Sequence, residues 1–233
     1  MKAGPILPLV LAVSATGCVI RHAGPTQHDF QAIERDDAEL VKVNLKMGAG
    51  TLRIDTGTEK LAAADFTYNV AAWKPEVRYT KSADRGTLTI SQPDRSGPHI
   101  GRSAYEWDLR LNRQVPLDIN VQFGAGEARL DLGGLTLRDV EVQMGVGQLD
   151  LDLRGNPKKN YDVRIGGGVG EAVVHLPSDV GVEAEAAGGI GSIEAPRLRR
   201  DGNRYYNDAW EDSKVKIHID VHGGVGSIRL LSE

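Results

Sequence analysis

The chain has 233 residues, of which 28 are glycine and only 5% are aromatic, a composition that excludes a compact aromatic core and suits many short strands joined by glycine turns. Its 28 basic and 32 acidic residues leave a net charge of −4 spread along the sequence, which excludes the basic footprint of a nucleic-acid binder. Beyond the N-terminus no stretch reaches the roughly 20 apolar residues that a membrane-spanning helix needs.

The first element is an export signal. Lys2 supplies the positive start, Ile6 to Ala15 a short apolar run, and Ala15, Thr16 and Gly17 the small residues that lead to Cys18. Cys18 is the only cysteine, so it has no disulfide partner within the chain and builds no CxxC metal site. Ala15-Thr16-Gly17-Cys18 resembles the lipobox of bacterial lipoproteins, with Ala15 standing where those usually have Leu. The resemblance implies cleavage after residue 17 and acylation of Cys18, as by palmitate. Each buried CH₂ of such a chain contributes about 0.8 kcal/mol, and two or more chains anchor a protein stably. Residues 18–36, with Gly24-Pro25-Thr26, are expected to form a lipidated tether. By resemblance to Gram-negative lipoprotein sorting, Val19, in place of an Asp after the cysteine, implies the outer membrane, facing the periplasm.

Residues 37–233 form the predicted folded domain, built on an internal repeat. Gly-x-Gly recurs at Gly48, Gly124, Gly145, Gly168, Gly189 and Gly224, with separations of 76, 21, 23, 21 and 35 residues. The three short intervals set a coil of about 21–23 residues. Each corner is flanked by alternating apolar residues, the period of strands. Val140, Val142 and Met144 precede one corner, and Leu149, Leu151 and Leu153 follow it. The apolar set changes parity across all six corners, so each must absorb one residue in a bend that glycine permits. The middle residue is Ala, Ala, Val, Val, Ile or Val, never polar. That choice is unlike an exposed hairpin tip and predicts a corner pointing into the core.

Two insertions interrupt the repeat. Residues 56–116 carry strand-like segments at 61–70, 77–80, 87–91 and 105–115, punctuated by Lys74-Pro75 and by Asp94-Arg95-Ser96-Gly97-Pro98. They are expected to extend the N-terminal end of the stack. Residues 196–214 hold Arg197, Arg199, Arg200, Arg204, Tyr205, Tyr206 and Trp210. Arginines pair with phosphate or carboxylate and aromatics stack on sugars, so this cluster is a candidate partner surface; the plainer reading is a cap on the stack. The fold class is therefore all-β, a β-solenoid with an N-terminal β-extension, with a β-sandwich as the alternative.

No catalytic, cofactor or metal site emerges. The glycines open no Walker loop and no dinucleotide fingerprint, and the calcium-roll pattern fails because Gln148 and Leu149 displace Asp150. His218, Asp220 and His222 share one strand face, but so do Lys214 and Lys216, as on a solvated exterior. Asp131, Asp150 and Asp152 alternate with leucines and are expected to face outward. No Gly-x-Ser-x-Gly elbow is present.

The glycine units, with the run from Val115 to Gly126, Gly134-Leu135-Thr136-Leu137 and the ending from Gly202 to Ile228, resemble the bacterial toast-rack families. These include the C-terminal domain of LiaF-like cell-wall stress proteins. The resemblance covers about residues 38–231 and implies a β-solenoid, association with the cell envelope and no catalytic motif. The expected function is a non-catalytic, membrane-tethered envelope lipoprotein that presents a rigid β surface for binding or for an envelope-stress interaction. Its partners would be the membrane, through the Cys18 lipid, and an envelope protein or the cell wall. An adhesin-like surface protein and an envelope-polymer hydrolase are the alternatives.

Overall fold

The computed structural model describes residues 21–22, 24–93, 99–100 and 104–233. The signal segment, Cys18 and the turn signal at 94–98 lie outside the described residues. In chain order the strands are β1 (Arg21–His22), β2 (Gln27–Ile33), β3 (Leu40–Thr56), β4 (Ala62–Tyr68), β5 (Glu76–Ser82), β6 (Arg85–Ser91), β7 (His99–Ile100) and β8 (Tyr105–Leu111). They continue with β9 (Pro116–Asp131), β10 (Thr136–Asp152), β11 (Tyr161–Leu176), β12 (Gly181–Glu194), β13 (Arg199–Asp201), β14 (Arg204–Tyr206) and β15 (Lys216–Ser232). One 3-10 turn spans Ala71–Trp73, and among the described residues no helix is long and apolar enough to cross a membrane.

Six strands of 14 to 17 residues, namely β3, β9, β10, β11, β12 and β15, each contain one Gly-x-Gly corner near the middle. They stack in parallel, so each corner lies beside the next. Both arms of every strand turn their apolar side inward. In β10 Val140, Val142 and Met144 are buried before the corner, and Leu149 and Leu151 after it. The parity switch thus has a simple cause: a ribbon folded at the corner faces its own other arm. Leu132, Leu135 and Leu153 close the base of the core where short loops return the chain to the next layer. The result is an all-β, β-solenoid-like rack.

Chain order and stack order part company at the C-terminal end. The stack runs β3, β9, β10, β11, β15, β12, so the last corner strand slots between the fourth and fifth. The 35-residue interval makes this possible. After β12 the chain turns through the β13–β14 hairpin, pairs β14 antiparallel to Glu183–Glu185 on the outer edge of β12, and returns along its inner edge as β15.

At the opposite end β3 divides its neighbours. Its first arm pairs with β6, which carries β5; its second arm pairs with β8, followed by β4 and β2. Strand β2 takes Gln27–Ile33 from the segment expected to be a tether. Its alternation is weak because it is an edge strand whose Phe30 stays exposed. Buried Asn112 staples this end: its amide donates to the carbonyls of Thr58, Glu59 and Lys60, and its oxygen accepts from the Gln114 and Val115 amides.

Candidate interaction surface

The corners owe their shape to two constraints acting together. The second glycine of each has a positive φ, from 129° at Gly126 to 149° at Gly191, where any L side chain is strained. Stacking adds the second constraint. A Cβ on Gly147 would overlap the carbonyl oxygen of Gly126, one on Gly170 that of Gly147, and so on through Gly226 to Gly191. The first glycines form a similar ladder from Gly48 to Gly189. Neighbouring backbones therefore approach at the corner more closely than any other residue type allows.

The middle residues point outward, which corrects the inward placement drawn from their apolar character. Val146, Val169 and Val225 are 53%, 48% and 47% exposed and Ile190 is 75% exposed. Ala49 and Ala125 are exposed as well. The physical reason lies on the inner side of the bend. Met144 and Leu149, on either side of the apex, are both buried there, so the residue at the apex is left on the convex side. Because the strands are in register, Ala49, Ala125, Val146, Val169, Val225 and Ile190 form one continuous ladder. At about 4.8 Å per strand it runs about 24 Å along the rack.

The second insertion folds back on itself. Tyr205 is buried, and Tyr206 packs on Trp210 with ring centroids 5.6 Å apart. Arg199 lies over the Tyr206 ring and pairs with Glu211 at 3.4 Å, and Arg200 lies over Tyr205. Arg204 reaches Glu183 at 3.2 Å and Glu185 at 3.7 Å, while the Lys216 ammonium sits 4.3 Å from the Trp210 ring centre. Arg197 is exposed in a positive-φ turn. Six of the seven candidate residues are thus joined by contacts within the cap and with β12 and β15. Asn207, which sequence reasoning passed over, fastens this cap; nothing in the sequence marks it apart from other loop asparagines.

His218 contacts Glu183 at 3.2 Å, and His222 contacts Asp220 at 2.9 Å, on the solvated face of β15. Among the described residues no group of three His, Cys, Asp or Glu side chains is arranged to hold a metal. On the second arms, Asp131 stands in register with Asp152. Burial, followed by the like charges of Asp152 and Asp55, pushes the Asp131 carboxyl above its ordinary range. Burial also opposes ionisation of Asp152, but hydrogen bonds from Arg154 outweigh it and hold that carboxyl low. A raised carboxyl costs stability above its folded pKa, and the cost fades as the pH falls toward the unfolded value near about 3.9. Asp131→Asn should therefore raise Tm at pH 7 by a few degrees and leave it unchanged at pH 3, as measured by thermal unfolding at the two pH values.

A rack of corner-bent parallel strands, locked by backbone contacts and carrying its apolar corner residues outside, defines a scaffold that displays a surface. The chain belongs to the toast-rack family: residues 22–175 match the N-terminal domain of toast_rack, DUF2154. No curated protein matches the chain. Among solved structures, a candidate cell adhesion protein from Clostridium sporogenes is similar with 37% identity and a TM-score of 0.87, over 90% of this chain and 100% of that one. A candidate adhesin from Bacteroides fragilis shares 12% identity with a TM-score of 0.36, over 90% of this chain and 99% of that one.

Proposed function

We propose that this protein is a non-catalytic, lipid-anchored adhesin of the bacterial cell envelope that makes contact through its corner ridge. The carrying observation is the ladder from Ala49 to Ile190: six apolar side chains, in register and exposed on a backbone that the glycine contacts hold rigid. Contiguous exposed apolar surface of this kind marks contact sites in soluble domains. A preorganised surface also loses little conformational entropy on binding. The Clostridium sporogenes relative, described for cell adhesion, supports the same reading. Cys18 supplies the anchor, three residues before the first described strand. The partner is a surface protein or cell-wall polymer with an apolar face.

Cells displaying the protein test both parts. The triple variant Val146→Ser, Val169→Ser, Val225→Ser removes methyl groups that face solvent, so its Tm should stay within a few degrees of the parent. Its adherence to cell-wall-coated surfaces should fall at least tenfold, and full adherence by the folded variant would overturn the ridge assignment. Cys18→Ser should lose metabolic labelling by an alkyne-tagged fatty acid and leave the membrane fraction; retention there would overturn the anchor.

A further inference from the structure

The residue before each corner faces the core, and its identity changes half-way along the stack. In stack order the column reads Met47, Phe123, Met144, Gly167, Gly223, Gly188. Across the apex stands a second column: Leu52, Ala128, Leu149, Ala172, Ile228, Ile193. Five layers have a large residue in at least one column. Phe123 compensates for Ala128, while Ile228 leans over Gly223 and Ile193 over Gly188. Only β11 is small on both sides, with Gly167 facing Ala172. The apex is hollow at that layer, a cavity of about 80 Å³ walled by Met144, Leu149, Ile165, Val221, Ile193 and Ile228.

Gly167 is not one of the glycines that the backbone requires. It lies outside the positive-φ set, and a Cβ there would have no heavy atom closer than 4.0 Å. Larger residues fit this column elsewhere, as Met144 does one strand away. Unfilled apolar volume weakens a fold, so a hollow kept where a side chain fits calls for an occupant. Its size narrows the choice: a dry apolar cavity of roughly 150 Å³ takes up benzene, and about half that volume suits the end of a straight carbon chain. Charge narrows it further. Among the lining residues Glu171 is the one acidic side chain, none is Lys or Arg, and the His222 imidazole is engaged by Asp220 at 2.9 Å. The guanidinium that pairs with Glu171, on Arg229, is shared between Glu171 at 3.6 Å and Glu194 at 3.8 Å. An anionic head group is therefore disfavoured at the mouth.

We propose that the hollow at β11 is a binding site for the end of an unbranched alkyl chain with a neutral head, the chemistry of a neutral acyl lipid. The site shares Val169, Ile190 and Val225 of its lining with the corner ridge, but the proposal does not depend on adhesion, and Ala172→Leu leaves the ridge residues untouched. The test is a methyl-resolved NMR titration of the full chain carrying Cys18→Ser, free of detergent, with 1-hexanol as the probe. Saturable shifts are expected at the methyls of Met144, Ala172 and Ile228. Hexanoate and benzyl alcohol should bind at least tenfold more weakly. Ala172→Leu and Gly167→Met place in β11 the residues that β10 carries at the same two positions. Each should raise Tm and weaken hexanol binding at least tenfold; if Gly167→Met fails to fold, Ala172→Leu carries the comparison. Absence of a saturable shift, unchanged affinity in Ala172→Leu, or hexanoate binding as tightly as hexanol would each overturn the proposal.

Discussion

Replacing Gly147 with Ala should cost about 3–5 kcal/mol and lower Tm by about 10 °C, among the largest effects of any single methyl group in this chain. Two independent penalties combine. The φ of 138° at Gly147 lies beyond the left-handed helical region, where an L residue is unfavourable by about 1–3 kcal/mol. The new Cβ would also overlap the carbonyl oxygen of Gly126, a backbone atom that no rotamer change can move aside. Relief requires β10 to slide away from β9, which strains hydrogen bonds along both arms of the pair. Two other glycines separate the contributions. Gly202 has a φ of 64° and nothing within 4 Å of the place a methyl group would take, so Gly202→Ala should show the conformational penalty alone, about 1 kcal/mol. Gly167 has neither constraint, and Gly167→Ala should leave Tm unchanged or slightly raised. Chemical denaturation of the three variants gives the ordering. Equal losses at Gly147 and Gly202 would mean that the stacked carbonyls contribute nothing.

The same corners show how far the fold was legible in the amino-acid sequence. Their spacing disclosed the coil, and the parity switch disclosed a bend, because both are properties of one strand read along its own length. The direction in which Val146 and Ile190 point was not legible. It depends on which side of the ribbon the opposite arm occupies, and an apolar residue is compatible with either side of a bend. Stack order was hidden for a related reason. The repeat fixes the shape of each layer but not which layer sits on which, and only the β14 pairing on the outer edge of β12 sends β15 inside. The contents of the second insertion were visible as arginines and aromatics, whereas their engagement was not. Arg204 meets Glu183 and Glu185 only because β14 lies antiparallel to β12. The hollow at β11 lay in plain view as Gly167 and Ala172, yet it acquires meaning only once the two columns face each other across the apex.

Asn207 controls whether that C-terminal end stays closed. Its buried side-chain amide donates to the carbonyls of Pro177 at 3.0 Å and Val180 at 2.7 Å, and its oxygen accepts from the Val182 amide at 2.9 Å. The backbone of Asn207 donates to Val182 as well, so a single residue ties the cap to the turn that leads into β12. Asn207→Ala would leave two carbonyls and one N–H without their partner in a place that water reaches poorly, at about 1–3 kcal/mol for each group fully stranded. Partial relaxation should bring the total to about 3 kcal/mol. Asn207→Asp keeps the acceptor but replaces the amide donor with a charge facing two carbonyl oxygens, and should be at least as damaging. The loss should be local before it is global. Hydrogen exchange at Glu183–Glu185, where β14 covers the edge of β12, should accelerate while the amides of β9 and β10 remain protected. The uncovered edge would extend along the full length of β12, because Ala187–Glu194 already has β15 on one side alone among the described residues. Unpaired parallel edges invite a second chain. Asn207→Ala should consequently self-associate in a concentration-dependent way at temperatures where the parent remains monodisperse, as followed by sedimentation velocity. A variant that loses about 3 kcal/mol yet keeps Glu183–Glu185 protected would place the role of Asn207 in the core of the rack and not in its cap.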